Sequence, residues 1–209
     1  DIINAGMKMN ELGINQGTSG NISLRWEDGI LITPTGVPYE ELNPDDICWQ
    51  HLDGEVKGKR EITSEWRFHN EIQRHRPDVN AVVHTHSNHA TALAIQEMGI
   101  PAIHYMVAAG GGPNIRCAPY ATFGTQELAE NAVTALKNRS CCLLAHHGVI
   151  ATGSSLSKAL WLASEVETIA KQYILILSTG QKPKLLSDAE IERVRTKMSG
   201  YGLKTAKTS

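Results

Sequence analysis

The chain lacks the features that mark several large classes of protein. Its 209 residues carry 20 lysines and arginines against 22 aspartates and glutamates, so it has no basic excess of the kind that general nucleic-acid binding requires. It also has no long uninterrupted apolar run. The longest apolar-leaning segment, residues 156–177, carries four charged side chains, which argues against a membrane span. Nucleic acid and membrane are therefore not expected partners.

Cysteine is scarce, and the spacing of the cysteines does not indicate disulfide bonds. The sequence contains no C-x-x-C motif, and two of the cysteines are adjacent in an apolar run where buried thiols are common. A disulfide framework is not expected in a chain of this length. We therefore expect a reducing compartment and a cytoplasmic location. The four cysteines are Cys48, Cys117, Cys141 and Cys142.

What the chain does contain is typical of an ordinary globular domain. Hydrophobic residues make up 41% and charged residues 20%, which is too apolar and too evenly charged for a disordered chain. The length suits one hydrophobic core, and the sequence shows neither an internal repeat nor a linker. We therefore expect a single domain over residues 1–209.

Apolar spacing and turn residues predict alternating strands and helices. Two hairpin signals come first, with turns at 27–29 and 53–54. Buried strands follow at 81–85 and 141–145, and helices stand between and after them. The pattern predicts an α/β layered domain around a largely antiparallel sheet. The predicted helices cover residues 2–12, 65–76, 88–98 and 125–138, a long segment from Ser155, and a short last segment capped by Ser187.

Histidines cluster where predicted strands end. His84 and His86 are two residues apart at the end of a strand, so both imidazoles can point to one side and hold a metal. The alternative is a hydrogen-bonded pair at a sheet edge. His146 and His147 end a second buried strand, and we expect only one of them to join the site, because adjacent strand residues face opposite ways. Spacing does not say which. Three nitrogens with one open position are typical of catalytic zinc.

An acid and several anion-binding loops accompany these histidines. Glu65 begins a predicted helix, where the helix dipole favours its carboxylate, although many helices carry such an acid without a functional role. Residues 17–21 and 33–36 and the pair Thr63-Ser64 offer hydroxyls and backbone N–H groups with little bulk. Together they predict a phosphate site if the fold gathers them.

Seven runs of residues, in this order and at this spacing, resemble class II aldolases of the aldolase/adducin family. The resemblance covers essentially the whole chain and implies a three-layer α/β/α sandwich. It also implies a C4 homotetramer with active sites at the subunit interfaces. The seven runs are residues 15–23, 32–36, 64–69, 81–86, 103–106, 118–125 and 146–148.

The resemblance assigns roles to individual residues. His84, His86 and His147 match the ligands of one zinc or another divalent metal per subunit, and Glu65 matches the catalytic acid that also binds the metal when substrate is absent. Tyr105 matches a catalytic tyrosine, and Tyr201 one that a neighbouring subunit contributes. The remaining matches are Asn21, Thr35, Gly36, Thr63 and Ser64 for phosphate, with Thr18 and Gly20 beside them, and Phe123 near the aldehyde.

The implied reaction is the reversible cleavage of a ketose 1-phosphate to dihydroxyacetone phosphate and a short aldehyde such as L-lactaldehyde. Two departures from the pattern, Thr63 for Ser and Ser19 for Ala, leave the chemistry intact. Alternatives on the same scaffold are L-ribulose-5-phosphate 4-epimerase and 3-oxo-tetronate 4-phosphate decarboxylase. The epimerases carry Asp where this chain has Glu65, and another Asp in a loop that here, at 107–116, contains no acid. A non-catalytic, adducin-like head that binds protein partners would be expected to have lost the metal ligands.

Overall fold

A computed structural model describes residues 1–199 and shows one eight-stranded sheet in that part of the chain. The strand order is β4-β3-β2-β1-β5-β8-β7-β6, and every neighbouring pair is antiparallel except β6 and β7. The largely antiparallel sheet that the hairpin signals predict is therefore present. Its strands are β1 Asn21–Trp26, β2 Gly29–Ile32, β3 Cys48–His51, β4 Val56–Lys57, β5 Ala81–Thr85, β6 Arg116–Ala118, β7 Cys141–Leu144 and β8 Gly148–Gly153.

Six α-helices accompany the sheet in the part of the chain that the structure describes, and side-chain caps fix the start of several of them. The hydroxyls of Thr125, Ser155 and Ser187 each accept a hydrogen bond from the backbone N–H three residues on. None of the helices that the structure describes is both long and apolar enough to cross a membrane. The helices are α1 Ile2–Glu11, α2 Trp66–His75, α3 Asn88–Ile95, α4 Gln126–Ala135, α5 Leu156–Ser178 and α6 Asp188–Ser199, with 3₁₀ helices at Tyr39–Glu41, Pro44–Asp46 and Tyr105–Gly110.

The sheet is buried on both faces, which makes the fold three layers. Along β5, Ala81 and Val83 point into a core shared with α1, α3 and α5, whereas Val82 points into a second core formed with α2 and α4. This alternation follows from the two-residue period of a strand. The three-layer α/β/α sandwich that the resemblance implies is confirmed.

Two strands, β6 and β8, are not predicted by the sequence pattern. β8 lies at the centre of the sheet between β5 and β7, yet only three residues separate it from β7. His146 makes that tight connection with φ = 54°, a conformation for which sequence patterns expect Gly or Asn. The histidine pair therefore occupies a hairpin turn rather than a strand end. β6 has only three residues, too few to show a pattern.

One close contact joins helix α1 to the loop that precedes β1. The Tyr39 ring is 2% exposed and lies directly on Gly6, where an added Cβ would sit 2.2 Å from Tyr39 Cδ1. From this position the Tyr39 hydroxyl donates to the Gly20 carbonyl oxygen at 2.7 Å. Gly6 is therefore required so that the tyrosine can support the loop.

We predict that Gly6→Ala destabilises the protein by about 1–3 kcal/mol, because the new methyl group overlaps the Tyr39 ring. The sign of the change in unfolding free energy reports on this overlap, since replacing Gly by Ala inside a helix normally stabilises by about 1 kcal/mol. Urea unfolding of Gly6→Ala beside Asn4→Ala, on the exposed side of α1, measures the difference. A stabilised Gly6→Ala variant would show that the tyrosine can move aside.

Candidate metal centre

The sheet order brings three histidines from separate places in the sequence to one edge. His84 lies in β5, and His86 directly follows that strand. β8 is the antiparallel neighbour of β5, with Thr85 opposite Val149, so the turn that carries His147 lies beside His86. Glu65 is the residue that precedes α2, on the same face of the sheet as His84. The four side chains thus meet although Glu65 and His147 are 82 positions apart in the sequence.

Their possible ligand atoms face one another at short range. His84 Nε2 lies 3.2 Å from Glu65 Oε2, and His147 Nε2 lies 3.0 Å from Glu65 Oε1. His86 Nε2 lies 2.9 Å from His84 Nε2. One ligand atom from each of the four residues falls within 4.8 Å of all the others, so a single ion can contact all four. The predicted ligand set is therefore assembled in one place.

The proton positions indicate that this cluster fits a cation. The carbonyl oxygen of Val149 can only accept, so the His84 Nδ1 at 2.9 Å must carry the proton. The Nε2 of a neutral His84 then presents a lone pair to Glu65 Oε2, which is an acceptor as well. Glu65 Oε1 is buried without a hydrogen-bond partner. Electron-rich atoms that converge without protons between them fit a divalent metal, and three imidazoles with one carboxylate suit zinc.

The electrostatics favour the same set of ligands. Burial alone would raise the pKa of the Glu65 carboxyl, but the neighbouring imidazoles of His84 and His147 outweigh burial and hold that pKa far below its usual range. Burial, with repulsion from His84 and His147, lowers the pKa of His86 to about 4. At neutral pH the site therefore holds an ionised carboxylate, and His86 is unprotonated and able to bind a metal.

Gly148 is a steric requirement of the centre. A Cβ at this position would lie 2.4 Å from the Thr85 carbonyl oxygen, 3.0 Å from His86 Cδ2 and 3.3 Å from His84 Cε1. β8 can therefore approach β5 closely enough for His147 to reach the cluster only if this residue has no side chain. The glycine that follows the histidine pair in the sequence is explained by this approach.

The structure answers which of the two adjacent histidines faces the cluster. His147 lies in it, whereas His146 turns outward, with its ring edge against Tyr120 and its Nε2 3.5 Å from Glu97. The expectation that the pair alternates across a strand does not hold, because both residues lie in the β7–β8 turn. The positive φ of His146 directs the two side chains apart.

A cavity of about 400 Å³ opens beside the four ligands. One wall is formed by small polar residues, whereas the other is formed by Tyr120, Ala121 and Phe123. All the residues that the sequence predicts for phosphate and aldehyde line it, so the fold gathers them. They are Thr18, Gly20, Asn21, Thr35, Gly36, Thr63, Ser64 and Phe123.

Backbone pairing brings two of the predicted anion loops together. The Thr63 amide donates to the Thr33 carbonyl oxygen at 3.2 Å, and the Thr35 amide donates to Glu61 at 3.0 Å. Pro34 and Ile62 form an isolated bridge between them. The hydroxyls of Thr35 and Ser64 therefore share one side of the cavity, next to the N-terminus of the ten-residue helix α2. This pairing crosses 27 residues of sequence and has no local signal.

Only one of the two predicted tyrosines lies in the described residues, and it is not brought to this cavity. Tyr105 begins a 3₁₀ helix, is 50% exposed and does not line the cavity of its own chain. Tyr201 lies outside the described residues. Helix α6, which ends at Ser199, packs against the Tyr105–Gly110 segment through Ile191 and Ala108.

Residues that the sequence reasoning did not single out also contribute. Tyr120 lines the cavity, with its ring beside that of His146. Behind Glu65, His69 is fully buried and contacts Asn21. A signal for His69 was available, since it lies four residues after Glu65 and so on the same face of the helix.

Comparisons with known proteins agree with this geometry. The family model described as "Class II Aldolase and Adducin N-terminal domain" matches residues 1–174. An L-fuculose phosphate aldolase from Escherichia coli K12 is 52% identical over 203 residues, 97% of this chain and 94% of the relative. A Rhodospirillum rubrum protein named 5-methylthioribulose-1-phosphate/5-deoxyribulose-1-phosphate aldolase is 50% identical, over 96% of this chain and 90% of that protein. The solved structure of an L-fuculose 1-phosphate aldolase superimposes with a TM-score of 0.92 at 38% identity, over 95% and 94% of the two chains.

The adjacent histidines supply a matched pair of variants for metal binding. We predict that His147→Ala weakens zinc binding at least 100-fold, since even the loss of a group that only supports a ligand costs about 10–100-fold. His146→Ala should change the affinity less than threefold, because its ring points away from the cluster. Competition with a chromophoric chelator gives both affinities. Equal losses in the two variants would contradict the assignment.

Proposed function

The chain belongs to the class II aldolase and adducin family, and from this premise we propose that it is a zinc-dependent aldolase acting on L-fuculose 1-phosphate. The reaction is the reversible cleavage of that ketose phosphate to dihydroxyacetone phosphate and L-lactaldehyde, a step of fucose metabolism. One observation carries the proposal: an intact set of three histidines and one glutamate opens onto a cavity with a polar, hydroxyl-bearing wall. A non-catalytic domain that only binds protein partners would not need these four metal ligands.

The metal-binding residues are His84, His86 and His147, with Glu65 as a fourth ligand when substrate is absent. A divalent metal held there would supply Lewis-acid chemistry at the carbonyl group of the substrate. The histidines fix its place, because His84 is anchored through Nδ1 to the Val149 carbonyl oxygen. Zinc suits this nitrogen-rich set, although other divalent metals share the preference for imidazole.

The phosphate end of the substrate lies against the polar wall of the cavity. Backbone N–H groups and hydroxyls around Thr35, Gly36 and Ser64 can donate to phosphate oxygens there, and the N-terminus of α2 adds partial positive charge. Thr63 supports this end indirectly, since its hydroxyl accepts from the Glu65 amide at 3.4 Å. Thr18, Gly20 and Asn21 complete the wall, and Asn21 also touches Glu65.

Glu65 moves the proton at the carbon next to the carbonyl group. In cleavage, the C3–C4 bond breaks, C3 keeps the electron pair, and the C4 hydroxyl becomes the aldehyde as its proton passes, through solvent, to the ionised Glu65 carboxylate. Glu65 then gives a proton to C3, which yields dihydroxyacetone phosphate, and in synthesis it removes that proton. Its position at the cavity wall beside the histidines suits this role.

The aldehyde end faces an apolar wall, which favours a second candidate substrate. Tyr120 is 56% and Phe123 65% exposed where they line the cavity mouth, a surface that suits a methyl or thioether tail. The Rhodospirillum rubrum relative is named for substrates with such tails, 5-methylthioribulose 1-phosphate and 5-deoxyribulose 1-phosphate. These ketose 1-phosphates give the same dihydroxyacetone phosphate and differ only in the aldehyde.

The proposal extends to the assembly. A C4 homotetramer with interfacial sites accounts for Tyr105, whose exposed ring lies outside its own cavity and is free to reach that of a neighbouring copy. Tyr105, assisted by Tyr201, would stabilise or protonate the aldehyde oxygen. We also propose that residues 1–209 act as one domain in the cytoplasm.

The related epimerase and decarboxylase reactions remain the alternatives on this scaffold. The segment 107–116 carries no acid, so the aspartate that the epimerases use after the first two ligands has no counterpart. Relatives named as aldolases match nearly the whole chain, which favours aldol cleavage.

An assay panel tests the proposal directly. We predict dihydroxyacetone phosphate release from L-fuculose 1-phosphate, loss of activity on metal removal, and restoration by zinc. Glu65→Gln should lower kcat by roughly 10²–10⁴-fold, because the neutral amide can neither take nor give the proton. Glu71→Gln, on the same helix but outside the cavity, is the matched control and should keep full activity.

Three outcomes would redirect the assignment. Activity that survives thorough metal removal would contradict the mechanism, and full turnover by Glu65→Gln would remove that residue from its role. A higher kcat/KM for 5-methylthioribulose 1-phosphate than for L-fuculose 1-phosphate would favour the second candidate.

A further inference from the structure

A file of buried polar side chains runs between strand β1 and helix α2, behind the metal centre. Glu65, His69 and Gln73 recur every fourth residue and so share one face of α2. Asn21 and Ser23 are two apart on β1 and so share one face of the sheet. Four residues of helix α2 and two residues of strand β1 cover similar lengths, so the five side chains interleave. Each is at most 5% exposed.

Hydrogen bonds join these side chains from end to end. Gln73 Nε2 lies 3.3 Å from Ser23 Oγ, and Ser23 Oγ lies 2.8 Å from His69 Nδ1. His69 Nε2 lies 2.6 Å from Asn21 Oδ1, and Asn21 Nδ2 donates to Glu65 Oε2 at 2.9 Å. His69 is the centre of the file, because both of its ring nitrogens are engaged.

The direction of the file follows from its last member. An ionised carboxylate only accepts, so Asn21 must present its NH₂ group to Glu65 and its carbonyl oxygen to His69. Burial lowers the pKa of His69 to about 3, so the neutral ring carries its single proton on Nε2, and its bare Nδ1 accepts the Ser23 hydroxyl proton. Gln73 in turn donates to Ser23. All four hydrogen bonds therefore point the same way, toward the carboxylate, and bonds aligned in this manner strengthen one another.

The arrangement makes the two oxygens of Glu65 unequal. Oε2 receives the Asn21 hydrogen bond, whereas Oε1 lies toward His147 without a hydrogen bond. A reversed Asn21 amide would place its carbonyl oxygen against the carboxylate and push Glu65 out of position. His69 lines no part of the cavity and touches none of the residues that do except Asn21 among the contacts described, so it can act on the reaction only through others.

We propose that His69, held in its Nε2–H tautomer by Ser23, is a positioning residue that orients Asn21 and thereby fixes the Glu65 carboxylate for proton transfer. Asn21 thus has a role beyond the phosphate wall, as the link between the file and the carboxylate. The kinetic part of the inference rests on the proposed aldolase function. The structural part, the tautomer and the direction of the file, does not.

The tautomer can be observed without any assay of activity. In the zinc-loaded protein with ¹⁵N-labelled histidine, we expect a protected Nε2–H resonance of His69 that is absent from His69→Gln. Ser23→Ala removes only the hydroxyl that fixes Nδ1, so we expect this resonance to weaken or a second tautomer to appear. A wild-type His69 protonated on Nδ1, or a Ser23→Ala spectrum like the wild type, would overturn the proposal.

Two replacements of His69 separate positioning from packing. Phe keeps a ring of similar size but donates nothing, and we expect it to lower kcat by about 10–100-fold, as supporting partners of a metal site do, with KM changed less than threefold. Gln can still donate to Asn21 and should recover most of the lost kcat. His75→Phe, on the exposed side of the same helix, is the matched control and should leave kcat unchanged.

The outcomes distinguish this inference from the proposed function. If the wild-type protein cleaves no ketose 1-phosphate, the aldolase assignment fails, while the tautomer and the zinc affinity of the variants still test the file. Equal losses for His69→Phe and His69→Gln, or full kcat in His69→Phe, would overturn the positioning role. If His69→Phe does not fold, Ser23→Ala carries the kinetic test, with a kcat loss and an unchanged KM expected.

Discussion

The buried carboxylate of Glu65 is the constraint on which the rest of the structure depends. A charge 5% exposed costs several kcal/mol of desolvation unless opposite charge and hydrogen bonds compensate. Here, β1 supplies Asn21, β5 supplies His84, and the turn before β8 supplies His147. These three strands are consecutive in the sheet. The strand order therefore brings together the groups that compensate the charge of Glu65.

The same arrangement divides the site into parts with different tasks. The histidines and Glu65 lie where the sheet ends, and the polar wall of the cavity lies mostly on the loops before β1, after β2 and before α2. Behind them, the file through His69 is closed to solvent. Loops adapt to a substrate, whereas a sheet edge and a packed helix hold ligands in place. The part that must not move is therefore built from regular elements.

Much of the fold was predictable from the sequence, because helices and buried strands carry periodic patterns. Strand Ala81–Thr85 and the start of α3 have the predicted bounds, and α5 begins one residue after the predicted Ser155. β8 was not predicted, since a non-glycine residue with positive φ makes the turn between β7 and β8. In the site, the spacing of His84 and His86 was local information. The choice of His147, the meeting of the loops at Thr35 and Ser64, and the contact of Asn21 with Glu65 depend on strand pairing, which no single segment specifies.

X-ray absorption at the zinc edge of the zinc-loaded protein tests the central claim most directly. We expect only nitrogen and oxygen neighbours at about 2.0–2.2 Å, with the multiple scattering of three imidazoles. The spectrum of His147→Ala should contain one imidazole fewer. Sulfur scattering at about 2.3 Å, or a wild-type spectrum with fewer than three imidazoles, would contradict a centre built from His84, His86, His147 and Glu65.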